Sequence, residues 1–269
     1  MAASVRTAID DARASAVPSA GTRPTVGVVF ALGRIEAKHL LRHPVFWLSS
    51  AFSLLLLRGA VGQVEGGGIT PNLTWLVGGV AIGVLMSSVL TANVAGLRPR
   101  RDHMRELYGS MPAPAEALTA GLLAGIVLGL GTLAVIMAGL SWLVLEQAEG
   151  DLREFVDVFM VSQYVLAVLA LGTLGLAVAR WTPSVLGGPL VLVVYVFTGL
   201  MWIVPWIAPT STGIGAGWHL THLLAVIAGC AALAFARDRR TLARFVVAAA
   251  ALGLAVLAGV QQTPPSGSY

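Results

Sequence analysis

Residues 116–145, EALTAGLLAGIVLGLGTLAVIMAGLSWLVL, decide the fold class of this chain. Glu116 is their only charged residue, and an unbroken uncharged run follows it. An α-helix needs about 20 mostly apolar residues to cross ~30 Å of hydrocarbon, and this stretch exceeds that length. A helix also satisfies its backbone hydrogen bonds within one segment, which lipid demands. The stretch therefore predicts a transmembrane α-helix.

The composition of the whole chain is typical of a protein built from such helices. Of its 269 residues, 57% are hydrophobic and 11% are charged, and the mean hydropathy is +0.82. Soluble domains carry about 25% charged residues. The composition therefore excludes a water-soluble enzyme, a disordered chain and a nucleic-acid-binding domain, and the net charge of +4 is better explained by membrane topology. Cys230 is the sole cysteine, which excludes an internal disulfide.

Seven stretches in total are apolar and long enough to predict spanning helices. They are residues 45–62, 72–97, 116–145, 157–179, 185–207, 218–236 and 243–260. We therefore predict an all-α, polytopic bundle of six to seven spans within a membrane domain at 26–260. Residues 1–25 are rich in Ala, Ser and Pro and predict a disordered cytoplasmic tail, and residues 261–269 form a short uncharged tail.

The distribution of basic residues predicts an orientation in the cell (plasma) membrane. If the N-terminus is cytoplasmic, the cytoplasmic side collects nearly all arginines outside the tail, whereas the other side receives only Arg153. The residues collected inside are Arg34, Lys38, Arg42, Arg98, Arg100, Arg101, Arg105, Arg180, Arg237, Arg239, Arg240 and Arg244. Trp47 and Trp181 then lie at cytoplasmic ends of spans, where tryptophan anchors helices in the headgroup region.

Residues 26–43, VGVVFALGRIEAKHLLRH, predict a helix on the cytoplasmic face of the membrane. Arg34, Lys38 and Arg42 alternate with apolar residues at helical spacing, which favours a helix that lies in the headgroup plane. Pro44 then ends it or turns the chain into the first span. Two interpretations remain open: a simple anchor, or an elbow helix that also frames a docking site for a partner.

The loop at 98–115 begins RPRRDHMRELYGSMPAP and carries charges of both signs. Pro99 is suited to the start of a helix, Asp102 and Glu106 favour its first turns, and Gly109 can end it. The loop either only retains positive charge in the cytoplasm or is a rigid, capped unit that binds a partner. The residues predicted to contact such a partner are Arg101, Arg105, Glu106, Leu107 and Tyr108.

Gly121, Gly125 and Gly129 recur at every fourth position of the third span, in GLLAGIVLG. Small residues at this spacing allow another helix backbone to approach closely. The approaching helix belongs either to this chain or to a second subunit, and the sequence leaves both open.

Three of these features together resemble a known family. The segment GRIEAKHLLRHPVFW at 33–47, the loop RRDHMRELYGSMPAP at 100–114 with its glycine-rich span, and WHLTHLL at 218–224 resemble membrane permeases of ATP-binding-cassette (ABC) transporters. The class is that of the type-2 exporters, in the form common in high-GC Gram-positive bacteria. The resemblance covers about 26–260, and its motifs are moderately specific.

The resemblance implies a function and a set of partners. The segment 26–43 would be the interfacial connecting helix, and 98–111 would hold the coupling helix that sits on a cytoplasmic ABC ATPase subunit. A second permease subunit, identical or different, would complete the path, and ATP and Mg²⁺ would bind the ATPase rather than this chain. The family usually has six spans with re-entrant helices between the fifth and sixth, so the predicted span 243–260 is a departure.

The sequence predicts neither an active site nor a metal site in this chain. It contains no GxxxxGK[ST] loop, and Lys38 is its only lysine, so any ATP hydrolysis requires another subunit. We interpret His219 and His222 as interfacial residues rather than metal ligands, and His39, His43 and His103 as surface residues. The alternative to a permease is a membrane anchor or assembly factor without a transport role.

Overall fold

The described part of the chain folds into eight α-helices. The computed structural model describes residues 26–64, 72–101, 115–146, 158–182, 184–198 and 214–262, and these residues contain helices and no strand. The helices are α1 (Val26–Leu41), α2 (Pro44–Val64), α3 (Asn72–Arg101), α4 (Ala115–Glu146), α5 (Val158–Trp181), α6 (Gly187–Thr198), α7 (Ile214–Asp238) and α8 (Leu242–Gln261). The predicted all-α class is confirmed for the described residues.

Four of the helices are long and apolar enough to cross a membrane. They comprise Glu116–Val144 of α4, Val161–Trp181 of α5, Gly217–Asp238 of α7 and Leu242–Gln261 of α8. They match the predicted spans 116–145, 157–179, 218–236 and 243–260. The last of these is the span that departs from the six-span pattern of the resembling family.

The other three predicted spans lie at least partly on helices, but they are not confirmed as separate membrane crossings. Residues 26–41 and 44–59 qualify as a fifth span only if α1 and the start of α2 are counted together across a bend of 50°. Pro44 begins α2 at this bend, as its missing N–H and fixed φ favour. For the predicted span 185–207, α6 supplies 12 residues, or about 18 Å of helix, and 199–213 lies outside the described residues.

Helix α5 lies at the centre of the bundle. It packs against α3, α4, α6 and α7, while α1 packs on α4, α2 packs on α3, and α8 packs on α7. Small residues bring the central helices together: a Cβ at Gly175 of α5 would overlap the backbone oxygen of Val89 in α3. The apolar core includes Val89, Ile126, Leu130 and Leu176, each almost fully buried.

Large apolar side chains also cover the outside of the bundle. Leu48 and Leu55 of α2, Leu186 before α6 and Leu242 of α8 are each more than 70% exposed. Lipid chains are a favourable neighbour for such exposed side chains. The exposed apolar surface therefore supports a membrane protein.

One end of the bundle gathers the ends of four helices. Glu116 near the start of α4 pairs with Arg244 near the start of α8. Arg180 at the end of α5 pairs with Asp238 at the end of α7, and Asp238 also contacts the first turns of α4. We call this the arginine-rich end. Arginines that the sequence assigned to one side of the membrane thus lie together.

Cysteine labelling tests the predicted orientation. In a Cys230→Ala background, Ser268→Cys and Gly150→Cys are expected to react with a membrane-impermeant maleimide in intact cells, whereas Ser110→Cys reacts only after permeabilisation. The expectation follows from the excess of cytoplasmic arginines. Cys230 itself is 3% exposed, so the protein that retains this cysteine is also expected to react little with the maleimide.

The pattern of labelling separates two errors. Reaction at position 268 only after permeabilisation would contradict a full crossing by 243–260. Reaction at position 110 in intact cells would instead overturn the whole orientation.

Candidate functional site

The predicted coupling residues lie at the edge of the described structure. Arg101 is the last residue of α3, and its side chain lies outside the described residues, as do Arg105, Glu106, Leu107 and Tyr108. What the structure does describe is the pair of helix ends that this segment joins. The candidate site is therefore the set of contacts that hold the end of α3 and the start of α4.

The three spaced glycines of α4 accommodate α1. A Cβ at Gly121 would lie 2.6 Å from Leu32 Cβ, and one at Gly125 would lie 2.6 Å from Glu36 Cβ. A Cβ at Gly129 would lie 3.1 Å from the Cα of Ala37. Of the two open alternatives, the structure shows the first: the helix that approaches these glycines belongs to the same chain.

Helix α1, which the sequence predicted to lie in the headgroup plane, runs alongside α4. Its contacts advance in step with those of α4, from Leu32 at Gly121 to Leu40 at Gly129, so the two helices run side by side in the same direction. A helix lying flat on the membrane would cross a spanning helix at one point. If α4 spans the membrane, α1 follows its path, because glycines at every fourth position provide a groove along the helix axis.

The basic side chains of α1 lie opposite this contact. Gly33, Ala37 and Leu40 are buried, whereas Arg34, Lys38 and Arg42 are exposed. The latter recur at every fourth position and therefore form one stripe along the helix. The basic residues that the sequence assigned to this helix are thus exposed, and small residues make up much of its buried face.

An ion pair links α1 to the end of α3. Arg98 Nη1 lies 3.4 Å from Glu36 Oε2, and the Glu36 side chain is only 14% exposed. His39 Nδ1 lies 3.9 Å from the same carboxylate oxygen. The contact fixes the end of α3 against α1, three residues before the described part of the helix stops.

His43 lies beside this contact, between α1 and α2. It is half-buried, and its Nδ1 is buried without a hydrogen-bond partner among the described residues. The structure places His43, predicted to be a surface residue, in a half-buried position at the turn before Pro44.

The start of α4 is held by several contacts, at the arginine-rich end. Glu116 Oε1 lies 2.6 Å from Arg244 Nη2 of α8 and 3.9 Å from Arg239 Nε. One turn further, the Thr119 hydroxyl donates a hydrogen bond to Asp238 of α7. The first turns of α4 are therefore tied to both helices of the α7–α8 hairpin.

Asp238 is the centre of this group. Its carboxylate forms an ion pair with Arg180 at the end of α5, and the two side chains are only 4% and 11% exposed. Sequence reasoning assigned Arg180 a topological role and did not select Asp238 or Thr119. The available signal was one acidic residue among four arginines in ARDRRTLAR at 236–244.

Both ends of the segment 102–114 thus join helices that are anchored by charged contacts. The end of α3 is tied to α1, and the start of α4 is tied to α1, α7 and α8. The glycine contacts bring α1 and α4 into direct backbone contact, and the partly exposed ion pairs add links between the helix ends.

The two histidines of α7 lie in a second polar cluster, near the opposite end of the bundle. His219 and His222 are buried, and their rings stack with centroids 6.5 Å apart. Their Nδ1 atoms lie 2.7 Å from Gln262 Oε1 and from the Ala255 carbonyl oxygen, respectively. The two residues, predicted to lie at the membrane interface, fasten the start of α7 to the end of α8.

No candidate metal centre is found in the described part of the chain. Among its residues, no three His, Cys, Asp or Glu side chains come together as a possible ligand set. Comparisons with models of protein families, with curated proteins and with solved structures return no match to this chain.

Proposed function

We propose that this chain is the membrane permease subunit of an ABC exporter, which moves its substrate by alternating access driven by a separate ATPase subunit. The proposal rests on the sequence resemblance described above and on the geometry at the two ends of 102–114. Its transport step needs no catalytic residue in this chain, because ATP and Mg²⁺ bind the ATPase.

The observation that carries the proposal is the anchoring of the predicted coupling loop. A loop that transmits force must join helices that do not yield independently. Arg98 ties one end of the loop to Glu36 of α1, and α1 lies in the glycine groove of α4, which follows the other end. Binding of an ATPase to the loop would therefore move α1, α3 and α4 as one unit.

The proposed assembly has two permease subunits and two ATPase subunits. The chain would enter from the cytoplasm through α1 and α2, and the order of helix ends supports seven crossings. Since α5 and α7 both end at the arginine-rich end, the chain between them must return to the opposite end. Substrate would pass between the two permease subunits, which are either identical or different.

The proposal is tested by disrupting the loop without changing the rest of the bundle. Glu106→Arg combined with Tyr108→Ala is expected to lower affinity for the ATPase about a hundredfold or more, since reversal of a buried interfacial charge costs several kcal/mol. Expression and membrane insertion are expected to persist, because added positive charge in a cytoplasmic loop reinforces the orientation. The measurement is co-purification of the ATPase in mild detergent, with native mass spectrometry of the complex.

A matched control carries the same change of charge elsewhere. Asp11→Arg in the N-terminal tail also reverses one acidic residue on the predicted cytoplasmic side and is expected to retain the ATPase. Normal ATPase binding and export by the double variant would show that the loop is only an anchor. Absence of an ATPase from the wild-type complex in every nucleotide state would instead favour the assembly-factor alternative.

A further inference from the structure

Two arginines at the arginine-rich end are held against one tryptophan ring. The guanidinium carbons of Arg237 and Arg240 each lie 5.8 Å from the centroid of the Trp181 ring. The indole Nε1–H donates a hydrogen bond of 2.9 Å to the Leu233 carbonyl oxygen, which fixes the ring. Residues from the end of α5 and the end of α7 thus form one group, which we call the Trp181 cluster.

The positive charge of this cluster is not neutralised within the described residues. The neighbouring carboxylates are engaged elsewhere, Asp238 with Arg180 and Glu116 with Arg244 and Arg239. Within the parts of the chain that the structure describes, neither Arg237 nor Arg240 forms an ion pair. Five arginines and two carboxylates lie at this end, so the end carries a net positive charge. The two of these arginines that form no ion pair with a described residue are those of the Trp181 cluster.

The geometry leaves the hydrogen-bond donors of both arginines available. A guanidinium held near an aromatic ring by its cationic charge keeps its N–H donors in its own plane. Those donors match a phosphate group, which arginine binds through two parallel hydrogen bonds. Both guanidiniums lie over the same indole ring, so two positive charges stand beside one side chain.

An apolar surface adjoins the cluster and continues along α8. Phe245 packs on Trp181 with ring centroids 6.1 Å apart and is 38% exposed. Leu242 and Val246 beside it are 80% and 57% exposed. A ligand for the cluster therefore meets positive charge at one end and an apolar helix face at the other.

We propose that the Trp181 cluster binds the phosphate headgroup of an anionic phospholipid, whose acyl chains lie against Leu242, Phe245 and Val246 of α8. The adjoining apolar face favours a lipid over an acidic segment of a soluble partner, which has no apolar chains to place there. The site fastens the α7–α8 turn to one leaflet. This inference requires only that the chain lies in a membrane, and it does not depend on transport or on an ATPase.

The test is lipid binding by the purified full-length chain. In mild detergent, native mass spectrometry is expected to show phosphatidylglycerol bound at least about tenfold more tightly than phosphatidylcholine, because each basic residue near an anionic lipid surface adds to the attraction. Arg237→Gln with Arg240→Gln is expected to reduce phosphatidylglycerol binding to the phosphatidylcholine level. The control, Arg6→Gln with Arg13→Gln, removes two arginines of the N-terminal tail, outside the predicted membrane domain, and is expected to bind as wild type.

Further arms distinguish the alternatives. Arg237→Lys with Arg240→Lys keeps the charge but loses the planar donors, so its affinity is expected to fall between wild type and the glutamine variant. If the glutamine variant is not monodisperse, the lysine variant replaces it in the comparison with wild type. Equal phosphatidylglycerol binding by wild type and both variants, or an equal loss in the control with two tail arginines replaced, would overturn the site. Displacement of the lipid by equimolar inorganic phosphate would show a phosphate site without lipid contacts, and binding of only a soluble acidic protein would also overturn the proposal.

Discussion

Asp238→Ala is expected to lower the free energy of unfolding by about 3–5 kcal/mol, the cost of removing one partner from a buried ion pair. The substitution leaves Arg180, whose side chain is 11% exposed, without its carboxylate at the end of α5. Thr119 also loses its acceptor, so the first turns of α4 lose a contact with α7. Thermal unfolding in mild detergent, followed by tryptophan fluorescence, measures the effect.

Two further variants show whether the buried charge is the cause. Arg180→Met with Asp238→Leu removes both charges and is expected to recover most of the stability, since apolar replacement of a buried pair is often neutral. Glu116→Gln breaks a more exposed pair, with side chains 26% and 27% exposed, and is expected to cost only about 0–1 kcal/mol. Equal losses from Asp238→Ala and Glu116→Gln would contradict a central role for Asp238.

Gly175→Ala is expected to be the most disruptive single-methyl change at the centre of the bundle. The added Cβ would overlap the backbone oxygen of Val89, and backbone atoms cannot move aside as a flexible side chain can. Helices α3 and α5 must separate, which weakens the packing of Val89 and Leu176 and the contact from Asn93 Nδ2 to the Gly175 carbonyl. Overpacking of this kind costs about 1–3 kcal/mol.

The same substitution at Gly139 of α4 supplies the control. A Cβ there meets nothing within 4 Å, so Gly139→Ala keeps only the gain in helix propensity of up to about 1 kcal/mol. The two variants are therefore expected to shift the unfolding midpoint in opposite directions. A Gly175→Ala protein at least as stable as wild type would show that α3 and α5 do not approach this closely.

Much of the secondary structure could be predicted from the sequence, because lipid permits few backbone conformations. The charge-free run after Glu116 can satisfy its hydrogen bonds in an apolar medium only as a helix. The glycines at 121, 125 and 129 likewise predict a close helix contact from their spacing alone. For the same reason, the apolar run at 243–260 predicts a helix where α8 is found.

The partners of these residues could not be predicted. The spacing of the glycines predicts a groove on α4, but it does not identify the helix that packs in this groove. Only the structure shows that this helix is α1. Hydropathy also treats a polar residue near the end of a span as interfacial. It cannot distinguish an exposed histidine from His219, which is buried against α8.

The sequence by itself determined that this protein is built of membrane-type helices with most of its basic residues at loops and helix ends, since both follow from the cost of placing backbone and charge in lipid. Tertiary structure alone decided how the helices are fastened. Asp238 meets Arg180 across 58 positions of the chain, and Glu116 meets Arg244 across 128. Such pairs form only when helix directions bring distant ends together, so no local pattern encodes them.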